Sequence, residues 1–315
     1  DQYSKLYSEK VVEIINSLIL PRYGLGIYLD PKPKDAPSPN EKLIIDNLSR
    51  AGKRLMGFCR TNLFKRLESS GYSFLLSLGR HIVRNYIFIY AIQNHLDLPI
   101  GKQVSEMLDD FIDDQDLDDP DTNIFSFSSD EKVYTEEAKA LYNLYQSHNY
   151  FKKFDWISYQ FFKPELLQYL IEDSQKLLSI LKVAGNWHPS EDKQLNALYD
   201  LITKVHPDEK LLVFTQFADT ANYLAKELKN RGVKEIEPVT GSSENPTALA
   251  HRFSPFSNKK EDLFSTNRQL RVLISTDVLS EGQNLQDSHI VINYDLPWAI
   301  IRLIQRAGRV DRIGQ

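Results

Sequence analysis

The second part of the chain alternates short apolar runs with longer amphipathic stretches. The apolar runs are 211–215, 235–240, 271–276 and 289–293. Each is short enough for a buried strand. A helical stretch, 219–231, follows the first run and ends before Gly232. Strands that alternate with helices in this way predict an α/β fold with a parallel sheet and helices on both faces.

The first part of the chain has a mainly helical pattern. Residues 1–20 and 41–108 repeat apolar positions at helical spacing, and four prolines between 31 and 39 mark a loop. Two further helices are expected at 131–147 and 164–183. We therefore expect two domains. The first is mostly helical and covers residues 1–185, and the second is the α/β domain over residues 186–315.

An acidic segment interrupts the helical pattern. Residues 106–121 carry nine carboxylates and neither Lys nor Arg. Like charges repel and Pro120 opposes a helix, so we expect a flexible linker near residues 106–125. Clustered carboxylates could also hold a metal ion, but the register of a calcium loop is absent from this sequence. The histidines show no metal-ligand spacing and Cys59 is the only cysteine, so no metal site is predicted.

The net charge of −5 argues against a generally basic nucleic-acid-binding protein. The acidic segment alone accounts for this sign, because the rest of the chain is mildly basic. A local surface that binds DNA therefore remains compatible with the composition.

The last eleven residues hold the clearest candidate chemistry. Gln305, Arg309 and Arg312 stand at i, i+4 and i+7, which places them on one face of a helix. Guanidinium groups stay charged and form paired hydrogen bonds with phosphate oxygens, so this face suits a polyphosphate. A solvated basic face is the alternative. The residues on the opposite arc are apolar and predict its buried side: Ile300, Leu303, Ile304 and Ala307. Asp295 and Pro297 are expected to cap and start this helix.

Four segments, in this order, resemble the second motor lobe of superfamily 2 helicases. They are similar to motifs IV, IVa, V and VI and lie at 211–217, 239–242, 273–286 and 305–315. The final Arg-Ile-Gly-Gln resembles the Swi/Snf ATPases. The wording of 280–286 resembles the bacterial RapA-like branch, which includes helicases with a phospholipase-D-type nuclease domain. Residues 65–70 resemble the segment that joins the two lobes of RapA-like proteins.

This resemblance implies a RecA-like lobe of a DNA-dependent ATPase that translocates on double-stranded DNA. It makes Arg309 and Arg312 the arginine fingers that reach the γ-phosphate of ATP, with Gln305 orienting them. It also places four residues of the motif V segment near the nucleotide: Gly282, Asn284, Glu281 and Asp277. Gly282 would permit close main-chain approach, Asn284 would contact the ribose or couple the lobes, and the two carboxylates would fix the loop. Relatives most often have aspartate at the place of Asn284.

The same resemblance implies a set of contacts to nucleic-acid phosphates. These residues are Thr215, Gln216, Thr240, Gly241, Ser242 and Thr276. Hydroxyl and main-chain donors at strand ends suit this task, because phosphate contacts position a strand without reading its bases. Capping of the following helices is the alternative role.

A nucleotide-binding loop of the form Gly-x-x-x-x-Gly-Lys-Ser/Thr does not occur in this sequence, and neither does Asp-Glu-x-His. ATP and Mg²⁺ are therefore expected to be held mainly by a first RecA-like lobe of the same polypeptide. The chain begins with Asp1 and stops inside a motif, so we expect a fragment of a longer polypeptide. Because it lacks the nucleotide-binding loop, we expect this fragment to be inactive alone. The alternatives are an RNA helicase lobe of the same superfamily and a non-catalytic interaction module. Without a signal peptide or a membrane-spanning run, a cytoplasmic bacterial protein is expected.

Overall fold

The computed structural model describes residues 1–101, 127–263, 268–279, 284–297, 299–308 and 310, and only the main chain of 49–55. The expected linker near 106–125 lies outside these residues, as do four predicted site residues: Glu281, Gly282, Arg309 and Arg312. The chain divides into two compact units. Unit 1 comprises Asp1–Lys65 and Phe74–Asn186, and unit 2 comprises Arg66–Ser73 and Trp187–Gln315.

Unit 1 is mainly helical, which confirms the expectation for the first part of the chain. Its elements in chain order are α1 (Gln2–Leu6), α2 (Glu9–Asn16), α3 (Pro39–Ser69), α4 (Gly71–Gln93), β1 (Leu98–Gly101), α5 (Glu131–Tyr145), α6 (His148–Phe151), β2 (Phe154–Ile157) and α7 (Glu165–Ala184). The end of α3 and the start of α4 belong to unit 2. The two strands pair antiparallel, with Leu98 opposite Ile157.

A buried carboxylate ties the chain after α2 to α7. Asp173 is 1% exposed, and its two oxygens accept the main-chain N–H groups of Ile19 at 3.0 Å and Leu20 at 2.6 Å. Burial raises the pKa of Asp173 above its ordinary value, although the two main-chain donors oppose the rise. Leu20 has a φ of 55°, a conformation that is costly for a leucine. The paired N–H contacts compensate for that strain.

Unit 2 contains the predicted parallel sheet. Its elements are α8 (Lys193–Asp200), β3 (Leu211–Phe214), α9 (Ala218–Asn230), β4 (Ile236–Val239), α10 (Pro246–Phe253), β5 (Val272–Ser275), β6 (Ile290–Asn293) and α11 (Ile300–Ala307). The strand order is β4-β5-β3-β6, and every pairing is parallel. Leu211 lies beside Val272 on one side and Ile290 on the other.

Helices cover both faces of this sheet, as predicted. Leu211 and Val213 of β3 point into one apolar cluster, which includes residues of α8 and α9. Leu212 and Phe214 point into a second cluster, which includes Phe253 of α10. Each fully buried side chain of this size contributes roughly 1.5–3 kcal/mol, so the two clusters account for much of the stability of the sheet. The fold prediction for this part of the chain is confirmed.

Within the described ranges, no helix combines the length and the apolar character that crossing a membrane requires.

Candidate functional site

The carboxyl ends of the parallel strands bring three of the predicted site residues to one edge of unit 2. Thr215 follows β3, Thr240 follows β4, and Thr276 follows β5. The N–H of Thr276 donates to the main-chain oxygen of Val239 at 3.0 Å, which continues the pairing of β4 and β5 to this edge. Ligands of open α/β sheets bind at this edge, so it is the candidate functional site.

A buried arginine that the sequence analysis did not select lies at this edge. Arg306 of α11 is 0% exposed. Its Nε and Nη2 donate to the two carboxylate oxygens of Asp277, at 2.7 and 3.2 Å, and its Nη1 donates to Asn293 Oδ1 at 3.0 Å. The guanidinium carbon also lies 5.2 Å from the ring centroid of Phe214. These contacts join α11 to the ends of β3, β5 and β6.

The predicted buried side of α11 was wrong. Ile300 is 74% exposed and Ile304 is 61% exposed; Ala307 is also exposed, and Leu303 is partly buried. The face that carries Arg302 and Arg306 lies against the sheet instead, because both guanidinium groups contact the carboxylate of Asp277 there. Apolar periodicity shows that a helix has two faces, but here the charged pair decides which face is buried. Arg302 and Arg306 at i and i+4, with Asp277 after an apolar strand, are the sequence signal that could have found this arrangement.

Asp277 is the residue that holds α11, the arginine helix. Besides Arg306, its carboxylate accepts a hydrogen bond from Nη1 of Arg302 at 3.3 Å. Burial lowers the pKa of Arg302, and the neighbouring charge of Arg306 lowers it further. The side chain of Asp277 is 23% exposed, so this cluster lies at the boundary between the interior and water.

Asp295 does not cap α11, in contrast to the sequence-based expectation. The helix begins at Ile300 after Ala299, and Pro297 precedes it outside the helix. The Asp295 carboxylate instead accepts hydrogen bonds from the hydroxyl of Thr215 at 2.6 Å and from the N–H of Gln216 at 2.9 Å. Burial raises its pKa above the ordinary aspartate value. The reason is tertiary: donors on β3 and its loop occupy the carboxylate.

The predicted phosphate contacts differ in exposure. Thr215 is 0% exposed and Thr240 is 2% exposed, so both hydroxyls lie in the interior. Thr240 Oγ1 lies 2.9 Å from Ser242 Oγ, and its N–H donates to Ser243 Oγ at 3.0 Å. Gly241 and Ser242 are exposed at the tip of this loop. The buried threonines therefore shape the loops that present the exposed donors.

Gln216 and Thr276 are partly buried. The side-chain amide of Gln216 donates to the main-chain oxygen of Leu296 at 2.9 Å, so the β3 loop also contacts the segment before α11.

Asn284 makes hydrogen bonds within its own loop and to the loop after α10. Its Nδ2 donates to the main-chain oxygen of Ser257 at 3.1 Å, and its Oδ1 accepts the N–H of Gln286 at 3.3 Å. Its main-chain oxygen accepts Nδ2 of Asn258 at 2.7 Å. These contacts join the 284–287 loop to the loop after α10. Gln305 is exposed on α11.

Residues 193–314 match the helicase conserved C-terminal domain. An uncharacterized ATP-dependent helicase of Bacillus subtilis, YqhH, is 38% identical over 119 residues, which cover 37% of this chain and 18% of that protein. DEAD-box ATP-dependent RNA helicase 35A of Oryza sativa subsp. japonica is 31% identical over 125 residues, which cover 40% of this chain and 18% of that protein. The chain thus spans less than a fifth of the length of these two relatives.

A solved structure, the crystal structure of the C-terminal part of the Fun30 ATPase domain, aligns with a TM-score of 0.41 and 17% identity. The alignment covers 100% of this chain and 77% of that one.

The arginine side chains that the structure describes at this edge are engaged inside the fold. The guanidinium groups of Arg302 and Arg306 both contact Asp277, so one carboxylate serves two positive charges inside the fold. Across the described parts of the chain, no three His, Cys, Asp or Glu side chains lie close enough together to hold a metal ion. What this edge offers is an anchored arginine helix and a set of exposed loops.

Proposed function

We propose that this chain is the second motor lobe of a nucleic-acid-stimulated ATPase that translocates on double-stranded DNA. The match of residues 193–314 to the helicase conserved C-terminal domain carries this proposal. The parallel sheet, with an arginine helix anchored at its carboxyl edge, supports it. The Swi/Snf-type and RapA-like relationship, and an attached phospholipase-D-type nuclease domain, remain part of the proposal.

In this proposal Arg309 and Arg312 are the arginine fingers. Phosphoryl transfer requires positive charge near the oxygens of the transferred phosphate, and guanidinium groups supply it. Arg306 is committed to Asp277 and Asn293, so the finger role falls to the arginines that follow it. Anchoring of α11 by Arg306 supports this role, because a finger must come from a held position. The triphosphate and Mg²⁺ would be held by a first lobe with a nucleotide-binding loop.

The loops at the strand ends would hold the nucleic acid. Gly241 and Ser242 present exposed main-chain and hydroxyl donors, while Thr240 supports them from the interior. Phosphate oxygens accept such donors irrespective of sequence. Gln216 and Thr276 would extend the same row along the sheet edge.

An RNA helicase lobe is the second candidate, because a relative of this chain is named an RNA helicase. The tip of the β4 loop would serve either duplex, since both duplexes present phosphates. Shape distinguishes them: A-form RNA differs from B-form DNA in groove width and in its 2′-hydroxyl groups.

A binding comparison tests the proposal. The chain is titrated with duplex DNA and with duplex RNA of the same sequence at several salt concentrations, since phosphate contacts give salt-dependent affinity. We expect tighter binding to DNA than to RNA. Ser242→Ala should weaken DNA binding, and the loss of affinity should be the same for unrelated DNA sequences. Ser17→Ala, an exposed serine at the end of α2, is the control. Preference for RNA would favour the second candidate, and binding to neither duplex would argue for the interaction module.

A further inference from the structure

A line of buried hydroxyl groups leads to the Asp295 carboxylate. Ser73 Oγ lies 2.9 Å from Thr220 Oγ1, Thr220 Oγ1 lies 2.9 Å from Ser69 Oγ, and Ser69 Oγ lies 2.5 Å from Asp295 Oδ2. The three hydroxyl residues are 0% exposed and Asp295 is 6% exposed. Ser69 and Ser73 come from segment 66–73, which belongs to unit 2 although the chain on either side of it belongs to unit 1.

The hydrogens in this line can be assigned from their number. A carboxylate has none to give, so Ser69 and Thr215 both donate to Asp295. Ser69 then has no hydrogen left, so Thr220 donates to Ser69. For the same reason Ser73 donates to Thr220. All three hydroxyl groups point toward the carboxylate, and hydrogen bonds aligned in this way strengthen one another.

Asp295 also accepts hydrogen bonds from two parts of the candidate site. Its Oδ1 accepts the N–H of Gln216 at 2.9 Å, which holds the loop after β3. Its main-chain oxygen accepts Nη1 of Arg306 at 3.4 Å, which belongs to the arginine helix. Burial raises the pKa of Asp295, and the hydrogen bond from Ser69 opposes that rise. Without this bond the carboxylate would have fewer donors to fix its orientation and its charge.

We propose that Ser69 is a positioning residue that acts through Asp295. By donating to the carboxylate, Ser69 sets the β3 loop at Gln216 against the segment that leads into the arginine helix. The contribution to nucleic-acid binding and turnover rests on the proposed function, in which this loop contacts phosphates and this helix carries the fingers. The positioning itself does not depend on that function.

Ser69→Ala tests the positioning directly, with Ser70→Ala as the matched control. Ser70 is also 0% exposed, but its hydroxyl accepts the N–H of Ser73 at 3.5 Å and lies outside the line to Asp295. The measurement is hydrogen exchange at the Gln216 amide in folded protein. Loss of a buried hydrogen bond to a charged group predicts roughly tenfold faster exchange in Ser69→Ala. Equal exchange rates in the two variants would overturn the proposal.

The second measurement is made on the ATPase that contains this chain. Ser69→Ala should raise the duplex concentration for half-maximal stimulation by roughly tenfold, with a smaller change in maximal turnover, whereas Ser70→Ala should change neither. If the wild-type protein neither binds nor responds to nucleic acid, the proposed function fails, while exchange at Gln216 still decides the positioning role.

A melting curve establishes that each variant folds. If Ser69→Ala does not fold, Thr220→Val takes its place, because it removes the hydroxyl that donates to Ser69 and keeps the shape of the side chain. We then expect a smaller acceleration of exchange at Gln216. An unchanged rate in a folded Thr220→Val protein would refute the relay of hydrogen bonds.

Discussion

At the scale of a single residue, burying a guanidinium group completely has a large cost in desolvation free energy. Removing it from water costs several kcal/mol unless a carboxylate compensates its charge. Arg306 meets this condition through two hydrogen bonds to Asp277. Its neighbour Arg302 is 17% exposed on its side chain and makes one longer contact to the same carboxylate. The two arginines should therefore contribute unequally to stability.

We expect Arg306→Ala to lower the free energy of unfolding by about 3 kcal/mol, since it removes the two shorter hydrogen bonds of Asp277 and leaves only the longer contact from Arg302. The value lies at the low end for such pairs because Asp277 retains 23% exposure. Arg302→Ala, the matched control, should cost about 1 kcal/mol or less. Urea unfolding of both variants measures the difference. Equal losses would show that the fork between Arg306 and Asp277 does not anchor the helix.

The buried carboxylate of Asp173 predicts a pH dependence. Its pKa in the folded state is raised, so the folded protein binds this proton more tightly than the unfolded chain does. The stability that Asp173 contributes is therefore complete at pH below its ordinary pKa. It is lost as the pH rises through the raised value. The advantage of wild type over Asp173→Asn in free energy of unfolding should shrink as the pH rises above the ordinary aspartate pKa of about 4. A difference that grows with pH would contradict this.

The arginine helix has three isoleucines exposed to water, which is unusual at the scale of an element. Ile300, Ile301 and Ile304 are each more than half exposed, while Arg306 is fully buried. Stability of this helix should therefore come from its charged side rather than from its isoleucines.

A paired substitution tests this orientation. Ile300→Gln combined with Ile304→Gln should change the free energy of unfolding by less than about 1 kcal/mol, as expected for surface positions. Leu224→Gln in α9, where the side chain is 0% exposed, should cost at least about 2 kcal/mol. Thermal or urea unfolding distinguishes the two. A large loss from the isoleucine pair would mean that this face is covered within unit 2.

The elements of unit 2 were predictable because their signals are local. The apolar run 211–215 became strand Leu211–Phe214, and the helical stretch 219–231 became helix Ala218–Asn230. Thr215 and Thr276 were placed correctly at strand ends for the same reason. Ser69, Arg306 and the role of Asp295 were missed, because each depends on partners from distant parts of the chain. No periodicity within one segment reports that a serine in a helix will meet a carboxylate 226 residues later.

The whole molecule predicts how activity divides between this chain and the rest of a motor. The sequence has no nucleotide-binding loop, so we expect no ATP turnover from the chain alone, with or without DNA. In the polypeptide that supplies such a loop, Arg309→Ala or Arg312→Ala should lower DNA-stimulated turnover by about 10³–10⁵-fold. The free energy of unfolding should stay unchanged, unlike that of Arg306→Ala.

The measurement is steady-state ATP hydrolysis at saturating duplex DNA, with Lys193→Ala as the control at an exposed position of α8. Turnover close to wild type in both finger variants would remove the finger assignment. ATP hydrolysis by this chain alone would contradict the proposal that a first lobe holds the nucleotide.

The contact between Ser69 and Asp295 can form only late in the synthesis of the chain. The two residues are 226 positions apart, and ribosomes add about 5–20 residues per second, so about 11–45 s separate their synthesis. All of unit 1 leaves the ribosome before most of unit 2 is made. The hydroxyl groups of segment 66–73 therefore cannot reach the carboxylate of Asp295 until the last strand of the sheet has left the ribosome. A polypeptide that started at Trp187 would never complete this step, because it would lack the part of unit 2 that is translated first.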